Sequence, residues 1–268
     1  MSEQILKTLA IKRLKLPRAL QTILALILRE MATSYGRSPG GYVWAIAEPV
    51  AGIALLTFIF SLGFHAPPLG SSFALFYASG LVPFLIYSDI SGRISQSINF
   101  SLPLLGYPRV TLADAVLARA LLSILTQTLV FCLVVGGLII FIDTNAKLDF
   151  YLIAKALLLA FMLGFGVGVI NCFLVTRFPV WQRVWSIINR PMFLLSCVVF
   201  TFESIPMPFR DWLWFNPVVH IVGVLRQGFY FGYSGAYVSV LYVTMISGFL
   251  SVAGFFLIWR FKDKLLNR

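Results

Sequence analysis

Apolar residues run in six long blocks, roughly 43–64, 66–88, 120–142, 156–176, 184–202 and 236–259, and the stretches between them hold every charged residue except Glu48 and Arg190. A helix needs about 20 mostly apolar residues to cross a hydrocarbon core, so each block reads as one spanning helix. As whole elements, the second runs on to about 98, the third starts near 112 and the fourth near 152. Ahead of them, between Pro17 and Gly36, Leu20, Ile23, Leu24, Ile27, Leu28, Met31 and Tyr35 recur every three or four residues, while Arg18, Thr22, Arg29 and Thr33 line the other face. That spacing predicts an amphipathic helix, and its position before a span places it in the headgroup plane, apolar stripe downward. Ser38-Pro39-Gly40-Gly41 breaks it and turns the chain into the first span.

The connections differ in character. His65-Ala66-Pro67-Pro68-Leu69-Gly70-Ser71 is short and uncharged, which makes spans one and two a tight hairpin. The connection from about 93 to 115 is longer, with Pro103, Gly106 and Pro108 set around Leu104, Leu105 and Tyr107, and reads as a short surface helix or turn open to a soluble partner. Span five is the least regular, because Arg190 and Pro191 interrupt it. After it, residues 203–235 mix Pro206, Pro208 and Pro217 with Phe209, Trp212, Trp214, Phe215, Phe229, Tyr230, Phe231 and Tyr233. This is too apolar for a free loop and too broken for a span. It predicts short re-entrant or interfacial helices, tolerated at membrane depth only when packed on protein or lining a wet cavity.

Charge sets the orientation. The segments on one side of the six spans carry seven, three, three and four Lys and Arg residues, and those on the other carry none, two and two. By the positive-inside rule both termini are cytoplasmic. Trp44, Trp181, Trp185 and Trp259 fall at or near inner ends and Trp212 and Trp214 outside, as interfacial anchors do. A mean hydropathy of +0.90 and 59% apolar residues exclude an ordinary soluble domain. The net charge of +11 is accounted for by attraction to the anionic cytoplasmic leaflet, so no nucleic-acid partner is expected. Cys132, Cys172 and Cys197 each lie inside a span, without C-x-x-C pairing or a His at ligand spacing, and read as apolar filler with no metal. No cleavable signal pattern is expected before residue 40. The fold class is therefore all-α: six transmembrane helices within 43–260, a cytoplasmic N-terminus over residues 1–42 with an interfacial helix, an outer segment 203–235 and a tail 261–268.

Asp89 and Arg93 stand at i, i+4 with the acid first, the favourable order on a helix, and Asp114 and Arg119 open the next span. All four belong near the cytoplasmic end of the bundle, where a charge can pair or snorkel and avoid the cost of about 2.5–3.5 kcal/mol at the bilayer centre. A structural ion-pair cluster is the first reading, and contact with an anionic headgroup the sharper one. Glu48, followed by Pro49, stands the same way. The chain lacks a G-x-x-x-x-G-K-[ST] phosphate loop, an H-E-x-x-H zinc helix and a G-x-S-x-G elbow, and neither His65 nor His220 has an acid or nucleophile at local spacing. Long uncharged interiors also disfavour proton or sodium coupling. A cytoplasmic ATPase acting on the inner connections is the simplest energy source. An ion-coupled exporter and a membrane glycosyl- or acyltransferase stay open as alternatives.

The run Leu28-Arg29-Glu30-Met31-Ala32-Thr33-Ser34-Tyr35-Gly36-Arg37, with Gly41-Tyr42-Val43-Trp44-Ala45-Ile46-Ala47-Glu48-Pro49, resembles the N-terminal signature of ABC-type polysaccharide-export permeases. Gly80-Leu81-Val82-Pro83-Phe84, Ala118-Arg119-Ala120-Leu121-Leu122 and Asn216-Pro217-Val218-Val219-His220 narrow the likeness to the KpsM-type permeases of Gram-negative capsule export, and it extends over essentially the whole chain. The resemblance implies a homodimer in the bacterial inner membrane, docked on two copies of a separate ATPase that binds ATP and Mg; no cofactor belongs to this chain. It implies a lipid-linked acidic polysaccharide as cargo, or another polymer such as O-antigen or teichoic acid, and a periplasmic capsule-export protein as a further partner. By the same resemblance, ATPase contacts map to about 18–36 and 100–110. Within the second range Leu104, Leu105, Tyr107, Pro108 and Arg109 form a compact apolar and basic knob that calls for a partner to bury it, the expected coupling site. By their charge, Arg29 and Arg37, flanking the point where the interfacial helix turns into span one, are with Trp44 and Glu48 the candidates for headgroup entry; the alternative is that Arg29 only pairs with Glu30 or with the ATPase. The resemblance maps the gate to 203–230, with Phe209, Trp212, Trp214, Phe215 and Tyr230. Those aromatics either stack on sugar faces or form an ordinary interfacial belt. Ser38-Pro39-Gly40-Gly41 departs from the family, where a bulkier residue is expected before the glycine.

Overall fold

The computed structural model describes residues 17–32, 43–105, 110–142 and 148–266. In chain order the helices are α1 Arg18–Glu30, α2 Val43–Gly63, α3 Phe73–Ser95, α4 Ser97–Leu105, α5 Leu112–Phe141, α6 Phe150–Arg177, α7 Trp181–Leu195, α8 Phe209–Trp214, α9 Pro217–Phe229, α10 Val240–Arg260 and α11 Lys262–Leu266, with a 3₁₀ turn at Phe202–Ser204. No strand occurs among the described residues.

Five helical stretches among them are long and apolar enough to cross a membrane: α2, α3 continued through α4 to Leu104, α5, α6 and α10. That is one fewer than the six apolar blocks predict. The block at 184–202 forms α7, which starts at Trp181 and ends at Leu195 after 15 residues, with Pro191 inside it. The chain then turns through 196–201, where Cys197 takes a φ of 57°. Pro191 contributes no N–H and crowds the preceding turn, and the carbonyls left free beyond it find partners elsewhere in the fold.

Local chemistry sets where the long helices begin. Ser72 caps α3 by accepting from the Leu75 N–H, so α3 starts at Phe73 and not at 66. Thr111 and Asp114 form a reciprocal capping box at the head of α5. Asp149 accepts from the Tyr151 and Leu152 N–H groups and starts α6 at Phe150, ahead of Lys155. Asn216 caps α9 with Pro217 in the first turn, where its missing N–H costs nothing.

The centre of the bundle is α3 against α6, with α10 and α9 packed on α6. Over their apolar windows α3 is 72% buried and α6 61%, against 11% for α2 and 22% for α10, so the latter two present most of their surface to lipid or to another chain. The close approach depends on small residues, as helix packing in membranes generally does. A Cβ on Gly164 would lie 3.1 Å from Ile90, and one on Gly168 2.8 Å from Ile94, both in α3. Two residues round the helix, a Cβ on Gly166 would lie 2.6 Å from the Ser247 carbonyl in α10. One Gly-x-Gly-x-Gly run thus lets α6 touch two neighbours at once.

Candidate functional site

Three groups of side chains concentrate the chemistry of this molecule. The first joins α1, α4 and α5. Ile23 and Leu26 of α1 are buried against Ala118 of α5, with Ile27, Leu104 and Val110 packed around them, while Leu20, Leu24, Leu28 and Met31 stay exposed. The predicted apolar stripe therefore divides between a protein-facing and an outward-facing half. At its end Arg119 Nε donates to Glu30 Oε1 at 2.6 Å, with side chains only 10% and 7% exposed. The Arg119 guanidinium lies 4.4 Å from the centroid of the Phe100 ring, and that of Arg29 5.5 Å. Phe100 in α4 thus takes two cationic groups, a role its sequence neighbourhood gives no sign of. Leu104 of the predicted coupling knob packs inward here; Tyr107, Pro108 and Arg109, and the side chain of Leu105, lie outside the described residues, as does Arg37.

The second group is a polar trough along α3. Asp89, Gly92, Arg93 and Gln96, with Ser88 beside them, follow one face at helical spacing. On one side α2 and α5 enclose a cavity of about 480 Å³ with Glu48, Arg119 and Gln127 in its wall. On the other side α2 and α7 add a second cavity of about 480 Å³ with Gln182, Trp185, Ser186, Asn189 and Arg190. Asp89 accepts from Arg93 Nε at 2.8 Å and from the Gln127 amide, and Asn189 donates to Ser88 Oγ at 2.7 Å. Asp114, grouped with these charges by sequence, instead accepts from the Thr111 N–H at 3.0 Å and hydroxyl at 2.8 Å. The four predicted charges resolve into a trough pair, a pair between α1 and α5, and a cap. Glu48 is exposed at the cavity and Trp44 exposed at the start of α2.

The third group lies in 196–242. Arg226 of α9 is fully buried and has no acidic partner among the described residues; Nη1 donates to the Phe200 carbonyl at 3.0 Å and Nη2 to that of Val198 at 3.2 Å. Its guanidinium lies over the Phe76 ring at 4.6 Å. Asn216 Nδ2 donates to the Leu195 carbonyl at 2.9 Å. These two residues satisfy carbonyls freed where α7 stops, which lets irregular backbone persist inside the bundle. A Cβ on Gly80 would lie 2.7 Å from the Val198 carbonyl, so α3 accepts this turn only at a glycine.

His220 is fully buried. Its Nδ1 accepts from the Ser239 N–H at 3.1 Å, so Nε2 carries the proton and donates to the Trp214 carbonyl at 2.8 Å. Burial holds its pKa below the ordinary 6.5, against hydrogen bonds that raise it. Of the predicted gate aromatics, Phe209, Trp212 and Phe215 are exposed. Trp214 turns inward, donating from Nε1 to the Tyr237 carbonyl at 3.0 Å, and Tyr230 packs on Gly70 of the α2–α3 turn.

A family model described as ABC-2 type transporter matches residues 21–230, from α1 through α9. The polysialic acid transport protein KpsM of Escherichia coli is 34% identical over 228 residues, which cover 84% of this chain and 88% of that protein. The capsule polysaccharide export inner-membrane protein CtrC of Neisseria meningitidis is 28% identical over 244 residues, 89% of this chain and 90% of its own. BexB of Haemophilus influenzae, another capsule polysaccharide export inner-membrane protein, is 27% identical over 217 residues, 79% and 80% of the two chains. With most of α1 and the whole of α2 through α9 inside the matched stretch, and with these relatives aligned over most of its length, this chain belongs to the ABC-2 type transporter family.

Proposed function

We propose that this chain is the permease subunit of an ATP-driven exporter that moves a lipid-linked, acidic capsular polysaccharide across the bacterial inner membrane. The observation that carries the reading is the alignment, over 79–89% of the chain, with proteins named for polysialic acid transport and capsule polysaccharide export. Two copies of the chain pair, each on a separate ATPase that binds ATP and Mg, and a periplasmic export protein receives the polymer. A single bundle with helix axes about 8–10 Å apart has no room for a hydrated sugar chain; two copies facing each other do.

The basic residues favour an even number of crossings with both termini cytoplasmic. In this reading α7 and the turn to Ser204 make the sixth crossing. The node of α1, α4 and α5 and the knob at 104–109 receive the ATPase stroke. Arg29 and Arg37 attract the anionic headgroup and Trp44 anchors the interface beside Glu48. The segment from Phe209 to Tyr230 closes the outer end.

The test is export in a capsulated host deleted for its own permease. Co-expression of this chain with its ATPase should restore surface polysaccharide, and omission of either should leave the lipid-linked polymer inside the cell. Export that survives loss of ATP and collapses with the ion gradient would overturn the reading in favour of an ion-coupled exporter. Turnover of a lipid-linked sugar donor by the purified chain alone would make it a transferase.

A further inference from the structure

The exposed face of α10 is apolar along most of its length and ends in positive charge. Met245, Phe249, Val252, Phe256 and Trp259 are all exposed and recur every three or four residues, which puts them on one face of the helix. Arg260 follows Phe256 at the same spacing, so the stripe closes on an exposed guanidinium at the last residue of α10. Trp259 marks the level where hydrocarbon gives way to headgroups, on the side that the basic residues identify as cytoplasmic.

Phe261 gathers the charge at that end. The Arg260 guanidinium lies 5.7 Å and the Lys264 ammonium 5.8 Å from the centroid of its ring. The ring is itself held in place, because Phe173 of α6 packs on it at 5.6 Å and Leu265, 1% exposed, buries α11 in the core. Arg260 and Lys264 are exposed and make no ion pair among the described residues, although Asp263 lies between them in the chain. Arg177 ends α6 one turn beyond Phe173 and adds a third basic group at this end of the bundle. The C-termini of α6 and α10 each contribute about half a negative charge, less than the three cations carry.

Basic groups held on one fixed ring without an acid to match them call for an anion, and the apolar stripe that leads to them calls for a hydrocarbon chain. A polar protein surface would match the cations and leave Phe256 and Trp259 bare; a lipid without net charge would do the reverse. We propose that this end of α10 binds one anionic glycerophospholipid, its phosphate accepting from Arg260 and Lys264 and an acyl chain lying along Trp259, Phe256 and Val252. The site does not rest on the export reading, since it uses no residue assigned to cargo, coupling or gate.

Delipidated full-length protein, titrated with dioleoyl phosphatidylglycerol or dioleoyl phosphatidylcholine and read by native mass spectrometry, tests the assignment. The first glycerol lipid should bind about tenfold or more tightly than the first choline lipid. Each basic group near the membrane surface is worth about fivefold, so Arg260→Gln/Lys264→Gln should weaken the glycerol lipid about 30-fold and leave the choline lipid and the thermal unfolding midpoint unchanged. Arg183→Gln/Lys262→Gln removes the same charge from exposed positions off the stripe and should cost less than about threefold. Phe256→Ser/Trp259→Ser, which keeps both cations, should weaken the two lipids alike. An equal loss in the two charge variants would reduce the site to diffuse attraction and overturn the proposal. So would equal affinity for the two lipids, or glycerol-lipid binding that Phe256→Ser/Trp259→Ser leaves untouched. Loss of ATPase co-purification in Arg260→Gln/Lys264→Gln with lipid binding intact would overturn it as well, and give the cations to the ATPase.

Discussion

Arg119 is the residue on which the junction of α1, α4 and α5 turns. It has Glu30 on one side, Phe100 on its face and a cavity on the other. Removing one member of a buried pair leaves the other charged and unsolvated, a loss of about 3–5 kcal/mol. Arg119→Ala should therefore destabilise the solubilised protein by about that amount, and Glu30→Gln/Arg119→Met should cost much less than the two single changes added. A double mutant as damaged as the sum would show that the two act separately. His220 gives a second expectation at this scale. Protonating Nδ1 would forfeit the Ser239 N–H bond and place an unpaired charge in the interior, a cost of several kcal/mol. The rings of Trp214 and Tyr242, 5.1 and 5.4 Å away, return only about 0.5–2 kcal/mol as cation–π contacts. Because the folded pKa is depressed, the His220 contribution is complete above the unfolded 6.5 and is lost as pH falls below it. The thermal midpoint should drop on going from about pH 7 to about pH 5, and the drop should shrink in His220→Gln; an unchanged slope in that variant would assign the acid sensitivity elsewhere.

At the scale of elements, hydrophobic blocks located the long helices because a membrane-crossing segment depends on little beyond apolar length. Their ends were less legible. The block at 66–88 begins in what is a turn: Pro67, Pro68 and Gly70 are apolar enough to count, but Gly70 takes a φ of 72° and the helix starts only where Ser72 caps it at Phe73. The Asp89–Arg93 pair was readable because i, i+4 spacing is local. Arg119 with Glu30 was not, because its partner lies 89 residues away on a helix whose docking only tertiary structure sets. Arg226 was invisible for a related reason: its acceptors are carbonyls that exist as free groups only because α7 stops at Leu195. The α1–α4–α5 node also sharpens what the neighbouring knob should do. With Leu104 committed to the Ile23–Leu26–Ala118 packing, the proposed knob is best tested on Leu105 and Tyr107, which lie outside that packing's described members. Replacing both with Asp should release the ATPase from the purified complex and leave the thermal midpoint within about 0.5 kcal/mol equivalents of the parent. Undiminished co-purification would remove the knob from coupling.

At the scale of the whole molecule, transport has to be assembled from surfaces that one chain leaves incomplete. No phosphate loop occurs in the sequence, so the purified chain should hydrolyse ATP only at background, and added ATPase subunit should bring turnover. Residues of α7 line the second cavity and α7 has no buried residue; in the proposed two-copy arrangement, that wall would face the shared path. Ser186 stands in that wall, exposed, and among the described residues its hydroxyl donates only to the Arg183 carbonyl of its own helix, at 2.8 Å. Ser186→Trp therefore adds bulk to the path while giving up one local hydrogen bond, a loss of about 1 kcal/mol. If the polymer passes along this face, export should fall by about tenfold or more while the ATPase still co-purifies and the fold survives heating as before. Normal export in that variant would place the route elsewhere, and lost assembly would make α7 an interface between subunits. Separating the three outcomes needs only surface polysaccharide, co-purification and a melting curve measured on the same strain.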